Sequence, residues 1–330
     1  MHVKKVGKNI ALLCLLLALP YLITNRYDQH ILNMILIYII LGMSLNLVFG
    51  YTGLLSLGHA AFYGIGAYVS ALATTQLGLP FLVSFFLAGL AGAIFGVLVG
   101  FPTLKLAGPY FAMATIGFNK IVEMVLMNWD SVTGGPAGIS GIPYPDFFGI
   151  CVLDSEKSYF YLLAVVMLSL FFIYRNLIVS HAGQTIIAMR NDIVAVQAMG
   201  VNSPLLRISI FTISTVYAAF AGSLYAHMVN YIAPDAFPVL ESITLLILVV
   251  IGGPGFLRGP FYGAVVIVLA NEYLQYLESF NMLIYGLALM VLLILLPSGI
   301  AGIIESIKSK IFKRRGVLDY IREVGIEEMK

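Results

Sequence analysis

Charge is what this chain has least of. Asp, Glu, Lys and Arg make up 10% of its 330 residues, whereas a soluble domain carries about 25%. With so few solvating groups the chain is not a soluble enzyme, a nucleic-acid binder or a disordered segment. Cysteine is nearly absent: Cys14 and Cys151 stand alone, too few and too distant for a disulfide framework or a thiolate metal site. The five histidines, His2, His30, His59, His181 and His227, show no His-x-x-x-His spacing, so no metal is expected. The single Gly-Lys pair, Gly7-Lys8, is followed by Asn9, which rules out a phosphate-cradling loop. No Gly-x-Ser-x-Gly nucleophile turn occurs either. Neither a catalytic residue nor a bound cofactor is expected.

What the chain does have is apolar length. Hydrophobic residues account for 60% of it, and a bilayer span needs about 20 such residues in a row. Runs between polar breaks predict about ten membrane helices, near 9–24, 31–50, 54–76, 80–101, 107–127, 158–174, 205–230, 239–257, 260–277 and 282–301. The expected fold is therefore an all-α polytopic membrane protein. Residues 1–304 form its transmembrane domain, with an outer loop at 128–157 and an inner loop at 175–204; residues 305–330 form a charged tail. Lys4, Lys5 and Lys8 ahead of Ile10–Leu19 imitate a secretory leader. Pro20-Tyr21-Leu22 is a poor cleavage site, so the first helix is read as retained.

The scarce charges are placed unevenly. With the N-terminus inside and ten spans, 15 of the 18 Lys and Arg fall on inner segments. The outer segments hold Arg26 and Lys157 but eight acids, among them Asp130, Asp146, Asp235 and Glu241. That asymmetry is the positive-inside pattern. It predicts a multi-pass protein of the cell (plasma or inner) membrane with both termini cytoplasmic. Twelve of the 34 charges sit in 305–330, as expected of a solvated helix beside anionic lipid.

An ionisable residue inside a span is a candidate for function. Lys120 and Glu123, three apart on one predicted helix, read as a structural ion pair or as a substrate ligand. His59 follows Gly58 in a small-residue segment, where a helix-packing hydrogen bond and a substrate contact are both open. Glu272 reads as a snorkelling side chain. Gly89, Gly92, Gly96 and Gly100 recur at helical spacing and predict a tightly packed face.

A second glycine cluster, Gly50, Gly53, Gly58, Gly64 and Gly66 with Tyr51, Thr52 and Ser56, predicts a broken helix. Irregular backbone survives at membrane depth only under cover of protein or beside a water-lined path. Tyr51, Thr52, Gly53, Ser56, Gly58 and His59 are therefore the candidates for a translocation path. Within the inner loop, Asn191–Gly200 reads as a short helix with Asp192 or Asn191 as N-cap and Gly200 as left-handed stop. Its side chains are almost all small or apolar. Such a helix either lies against its own bundle or the lipid interface, or docks a cytoplasmic partner.

The stretch from Ser44 to Phe62, Ser-Leu-Asn-Leu-Val-Phe-Gly-Tyr-Thr-Gly-Leu-Leu-Ser-Leu-Gly-His-Ala-Ala-Phe, strongly resembles ABC transporter permeases for branched-chain amino acids. So do Gly108-Pro109-Tyr110, Asn128–Pro136 with Thr133, Gly134 and Gly135, and Ile251–Gly255. The four motifs occur in the order of the family's M-type permease, over about residues 30 to 302. The resemblance implies an importer of the ten-helix type for leucine, isoleucine and valine. Its partners would be a second, related permease, two ATP-binding subunits that carry ATP and Mg, and an external substrate-binding protein, with no nucleic acid. It also implies that Asp192, Ala195, Ala198, Met199 and Gly200 form the helix contacting the ATPase, and makes Thr133, Gly134 and Gly135 outer-loop candidates. Two departures stand out. Val194-Ala195-Val196 replaces the usual Glu-Ala-Ala, and Lys120 precedes Glu123 where relatives place the acid first. Related permeases serve urea, short amides and nucleosides, and these remain alternatives, as does an ion-driven secondary transporter, which would need internal ion ligands.

Overall fold

The computed structural model describes residues 20, 21, 23, 25–103, 108–146, 153, 155–275 and 299–306. Six helices among them are long and apolar enough to cross a bilayer: Arg26–Thr52, Phe81–Thr103, Pro109–Asn128, Glu156–Val179, Ser203–Val229 and Pro234–Gly252. Two shorter helices, His59–Thr75 and Gly259–Gln275, each of 17 residues, stand where two further spans are expected. The expected spans near 9–24 and 282–301 lie largely outside the described residues. The chain is an all-α polytopic membrane protein, with eight of the expected helices seen among the described residues.

In chain order these are α1 (Arg26–Leu45, continued by a π-helix at Asn46–Thr52), α2 (His59–Thr75), α3 (Phe81–Thr103) and α4 (Pro109–Asn128). Then come α5 (Glu156–Val179), α6 (His181–Asn191), α7 (Ile193–Ala198), α8 (Ser203–Val229), α9 (Val239–Gly252) and α10 (Gly259–Gln275). Helix α8 is central: it packs along α2 and α3 and touches α1, while α5 and α10 flank α1.

Lipid tails are as apolar as leucine, so helices in a bilayer associate through close backbone approach rather than water exclusion. The glycine face of α3 does this. A Cβ at Gly89, Gly92 or Gly96 would run into Phe220, Ala219 or Thr215 of α8, and Thr215 Oγ1 donates to the Gly92 carbonyl at 2.8 Å. The spacing of those glycines alone predicted this packing.

Two expectations need adjustment. The inner loop at 175–204 is mostly helical, because α5 continues to Val179 before α6 and α7 begin. At 24 residues, α5 is about 36 Å long, more than a hydrocarbon core of about 30 Å. The predicted helix at 54–76 starts only at His59.

The outer loop carries structure that periodicity could not reveal. Strand β1 (Ile139–Ser140) pairs antiparallel with β2 (Tyr231–Ile232). On the same end of the bundle, Asn33 Nδ2 donates to Glu156 Oε2 at 2.7 Å and His227 Nδ1 lies 2.7 Å from the Pro143 carbonyl. Segments assigned to the outer side thus meet one another. Segments assigned to the inner side, around Gly50, Arg190 and Gly255, meet at the other end.

Candidate functional site

The site is built on the interruption between α1 and α2. After Leu45 the helix widens into a π-turn through Asn46–Thr52, and the Gly53 N–H closes the last helical bond onto the Phe49 carbonyl at 3.1 Å. Gly53 then takes a left-handed conformation, φ +74, which a side chain would oppose. Residues 53–58 are non-helical.

Backbone polar groups released here must find partners inside the protein. The Leu57 N–H donates to Thr115 Oγ1 of α4 at 3.0 Å, and the Ala60 N–H donates to Ser242 Oγ of α9 at 2.9 Å. Asn46 clamps the turn between α9 and α10. Its Nδ2 donates to Tyr174 Oη at 2.7 Å and to the Phe256 carbonyl at 3.0 Å, and its Oδ1 accepts from the Gly255 N–H at 2.9 Å.

Of the path candidates, Tyr51, Thr52, Ser56 and His59 are buried and Gly53 is exposed. His59 Nδ1 lies 3.0 Å from Ser56 Oγ and His59 Nε2 lies 2.7 Å from Ser214 Oγ of α8. Gly58 abuts α4, where an added Cβ would sit 2.8 Å from the Thr115 carbonyl. Tyr51 also lines a cavity of about 460 Å³, together with Ile178, Ile187, Arg258, Tyr262 and Glu305. The break therefore has one side packed into the bundle and one side open to a cavity.

The loop helix forms as its sequence predicts. Asp192 Oδ1 accepts from the Val194 and Ala195 N–H groups at 2.9 and 3.0 Å, and Gly200 takes φ +82. Within α7 only Val196 is buried; Ala195, Ala198 and the following Met199 are exposed, Met199 at 84%. So α7 does not lie flat against its own bundle.

The outer-loop candidates close a turn at the other end of α4. Thr133 Oγ1 donates toward the Leu126 and Trp129 carbonyls, at 2.7 and 2.9 Å, and Gly134 and Gly135 take φ +76 and +56. They are not brought near the break. Lys120 and Glu123 form an ion pair at 2.6 Å. Among the described residues no cluster of three or more His, Cys, Asp or Glu side chains gathers.

Sequence reasoning missed Asn46, Thr115, Arg190, Ser214 and Ser242, all of which hold the break. Asn46, Ser214 and Ser242 were visible as polar interruptions of apolar runs. Arg190 left no such signal, because its partner is a backbone carbonyl: Arg190 Nη1 donates to the Gly50 oxygen.

The family model described as branched-chain amino acid transport system / permease component matches residues 29–296. The high-affinity branched-chain amino acid transport system permease protein LivM of Salmonella typhimurium is 38% identical over 88% of this chain and 73% of its own length. Its counterpart in Escherichia coli K12 is 37% identical over the same shares. A probable branched-chain amino acid transport permease protein LivM of Methanocaldococcus jannaschii is 24% identical over 80% of this chain and 90% of its own. No solved structure matches the chain.

Proposed function

This chain belongs to the branched-chain amino acid transport permease family, and from that premise we propose that it is the membrane permease subunit of an ATP-driven importer for leucine, isoleucine and valine. It has ten spans and sits in the cell membrane with both termini and the tail 305–330 in the cytoplasm. It works beside a second, related permease and two ATP-binding subunits, which hold ATP and Mg, and takes its cargo from an external binding protein.

The observation that carries this reading is the exposed apolar helix α7. A membrane carrier without a nucleotide site of its own must receive work through a contact, and α7 presents Ala195, Ala198 and Met199 outward on an Asp192-capped turn. The translocation path passes the break at Tyr51, Thr52 and Gly53. Support comes from Tyr51 lining the cavity at the end of the bundle where α6 and α7 lie. Ser56, Gly58 and His59 shape the packed side of that path. Thr133, Gly134 and Gly135 set the turn that presents the outer loop to the binding protein.

Uptake of labelled leucine, isoleucine and valine into vesicles containing the reconstituted complex, with and without ATP and the binding protein, tests the proposal. Uptake requiring both is expected. Uptake driven by an ion gradient without ATP would instead make the protein a secondary transporter.

A further inference from the structure

At the end of α1 the helical ladder stops with the Gly53-to-Phe49 bond, so the carbonyls beyond Phe49 are the last-turn oxygens that a helix cannot pair by itself. One of them, on Gly50, is taken by the Arg190 guanidinium. A cation suits this position, because the partial negative charge of a helix collects at its C-terminus.

Three features make the contact a joint rather than ordinary surface pairing. First, Arg190 occupies the last turn of α6, and Asp192, two residues on, ends α6 and caps α7. A displacement of α7 therefore reaches Arg190 through one short, hydrogen-bonded connection. Second, the arginine lies over glycine. A Cβ at Gly53 would sit 3.4 Å from Arg190 Cγ, and one at Gly255 would sit 3.2 Å from Arg190 Nη1. Third, the Gly255 turn is fastened to Asn46 of the same π-segment, so the guanidinium contacts both pieces that the break holds together. Apart from these contacts Arg190 is exposed, and replacing it removes no core packing.

We propose that Arg190 is the positioning residue that carries movement of the docking helix α7 to the break at Gly50–Gly53, and so links ATP-driven displacement to opening of the path. The proposal rests on the permease reading above. Its role requires a cationic donor that reaches the Gly50 carbonyl, not merely a side chain that fills space.

The test uses the full reconstituted complex with Arg190→Gln and Arg190→Lys. Three quantities are measured: co-purification of the ATP-binding subunits, the rate of ATP hydrolysis, and substrate uptake per ATP hydrolysed. For Arg190→Gln, co-purification and hydrolysis within about twofold of wild type are expected, with uptake per ATP at least tenfold lower. Arg190→Lys keeps a cationic donor and should recover a substantial part of that ratio. A structural role would lower hydrolysis and uptake together and leave the ratio unmoved; that result, or an unchanged ratio in Arg190→Gln, overturns the proposal. If Arg190→Gln does not assemble, Arg190→Met, neutral and of similar length, takes its place: a ratio at least tenfold lower is expected, and an unchanged ratio overturns the proposal. Wild-type vesicles lacking ATP-dependent uptake would instead sink the permease reading, before any variant is compared.

Discussion

His59 Nε2 lies 2.7 Å from Ser214 Oγ, joining the start of α2 to the middle of α8 inside the bundle. Ser214 Oγ also lies 2.8 Å from the Ser44 carbonyl. His59 Nδ1 lies 3.0 Å from Ser56 Oγ, so one ring nitrogen has a partner to donate to and the other a partner to accept from. Each ring nitrogen of His59 has a partner in this seam, as expected of a packing residue on the covered side of the break.

Removing the serine hydroxyl tests that assignment. Ser214→Ala orphans a fully buried ring nitrogen, at a cost of about 1–3 kcal/mol. The expected outcome is a lower unfolding temperature in detergent with little change in uptake per assembled complex. Uptake lost at unchanged stability would place His59 in the path instead.

The two glycines of the break should respond differently to leucine. At Gly53 the substitution meets a left-handed backbone, costing about 1–2 kcal/mol, and presses on Arg190 across the exposed side. Uptake should fall while the complex still assembles. At Gly58 the new side chain is driven into the Thr115 carbonyl, separating α2 from α4, and the yield of folded protein should fall. Comparing folded yield with uptake for both variants separates path from packing; wild-type uptake by Gly53→Leu moves the path elsewhere.

Charging the outward face of α7 should detach the motor. A carboxylate introduced at Ala195 and Ala198, both exposed in this chain, costs little in the isolated subunit. In a docking groove it would be buried unpaired, at several kcal/mol. The Ala195→Glu, Ala198→Glu double variant should insert normally and lose both co-purifying ATPase and substrate-stimulated hydrolysis. Gly200→Val strains the left-handed stop by about 1–2 kcal/mol and should do the same more mildly. Retention of both activities by the double variant would remove α7 from the interface.

Topology has its own test. Cys151 lies outside the described residues, within the loop assigned to the outer side. In a Cys14→Ser background it should react with a membrane-impermeant thiol reagent in intact cells. Reaction only after permeabilisation would overturn the ten-span map.

Local physics was enough to give the bilayer as solvent, the positions of eight helices among the described residues and the capped loop helix α7. Apolar length sets a span, glycine spacing sets the α3 face against α8, and Asp192 with Gly200 starts and stops α7 regardless of the rest of the fold. The helix break was legible too, because Gly50 and Gly53 fall between two apolar runs. How that break is held was not. Leu57 is capped by Thr115, Ala60 by Ser242, His59 by Ser214 and Gly50 by Arg190, partners between 58 and 182 residues apart. Nor could the β1–β2 pairing be foreseen, since two-residue strands carry no periodicity to read. Those contacts arise only when separate helices meet: a backbone group freed in the bilayer takes whichever donor or acceptor the packing brings to it, and here the packing of α4, α6, α8 and α9 around the break made that choice.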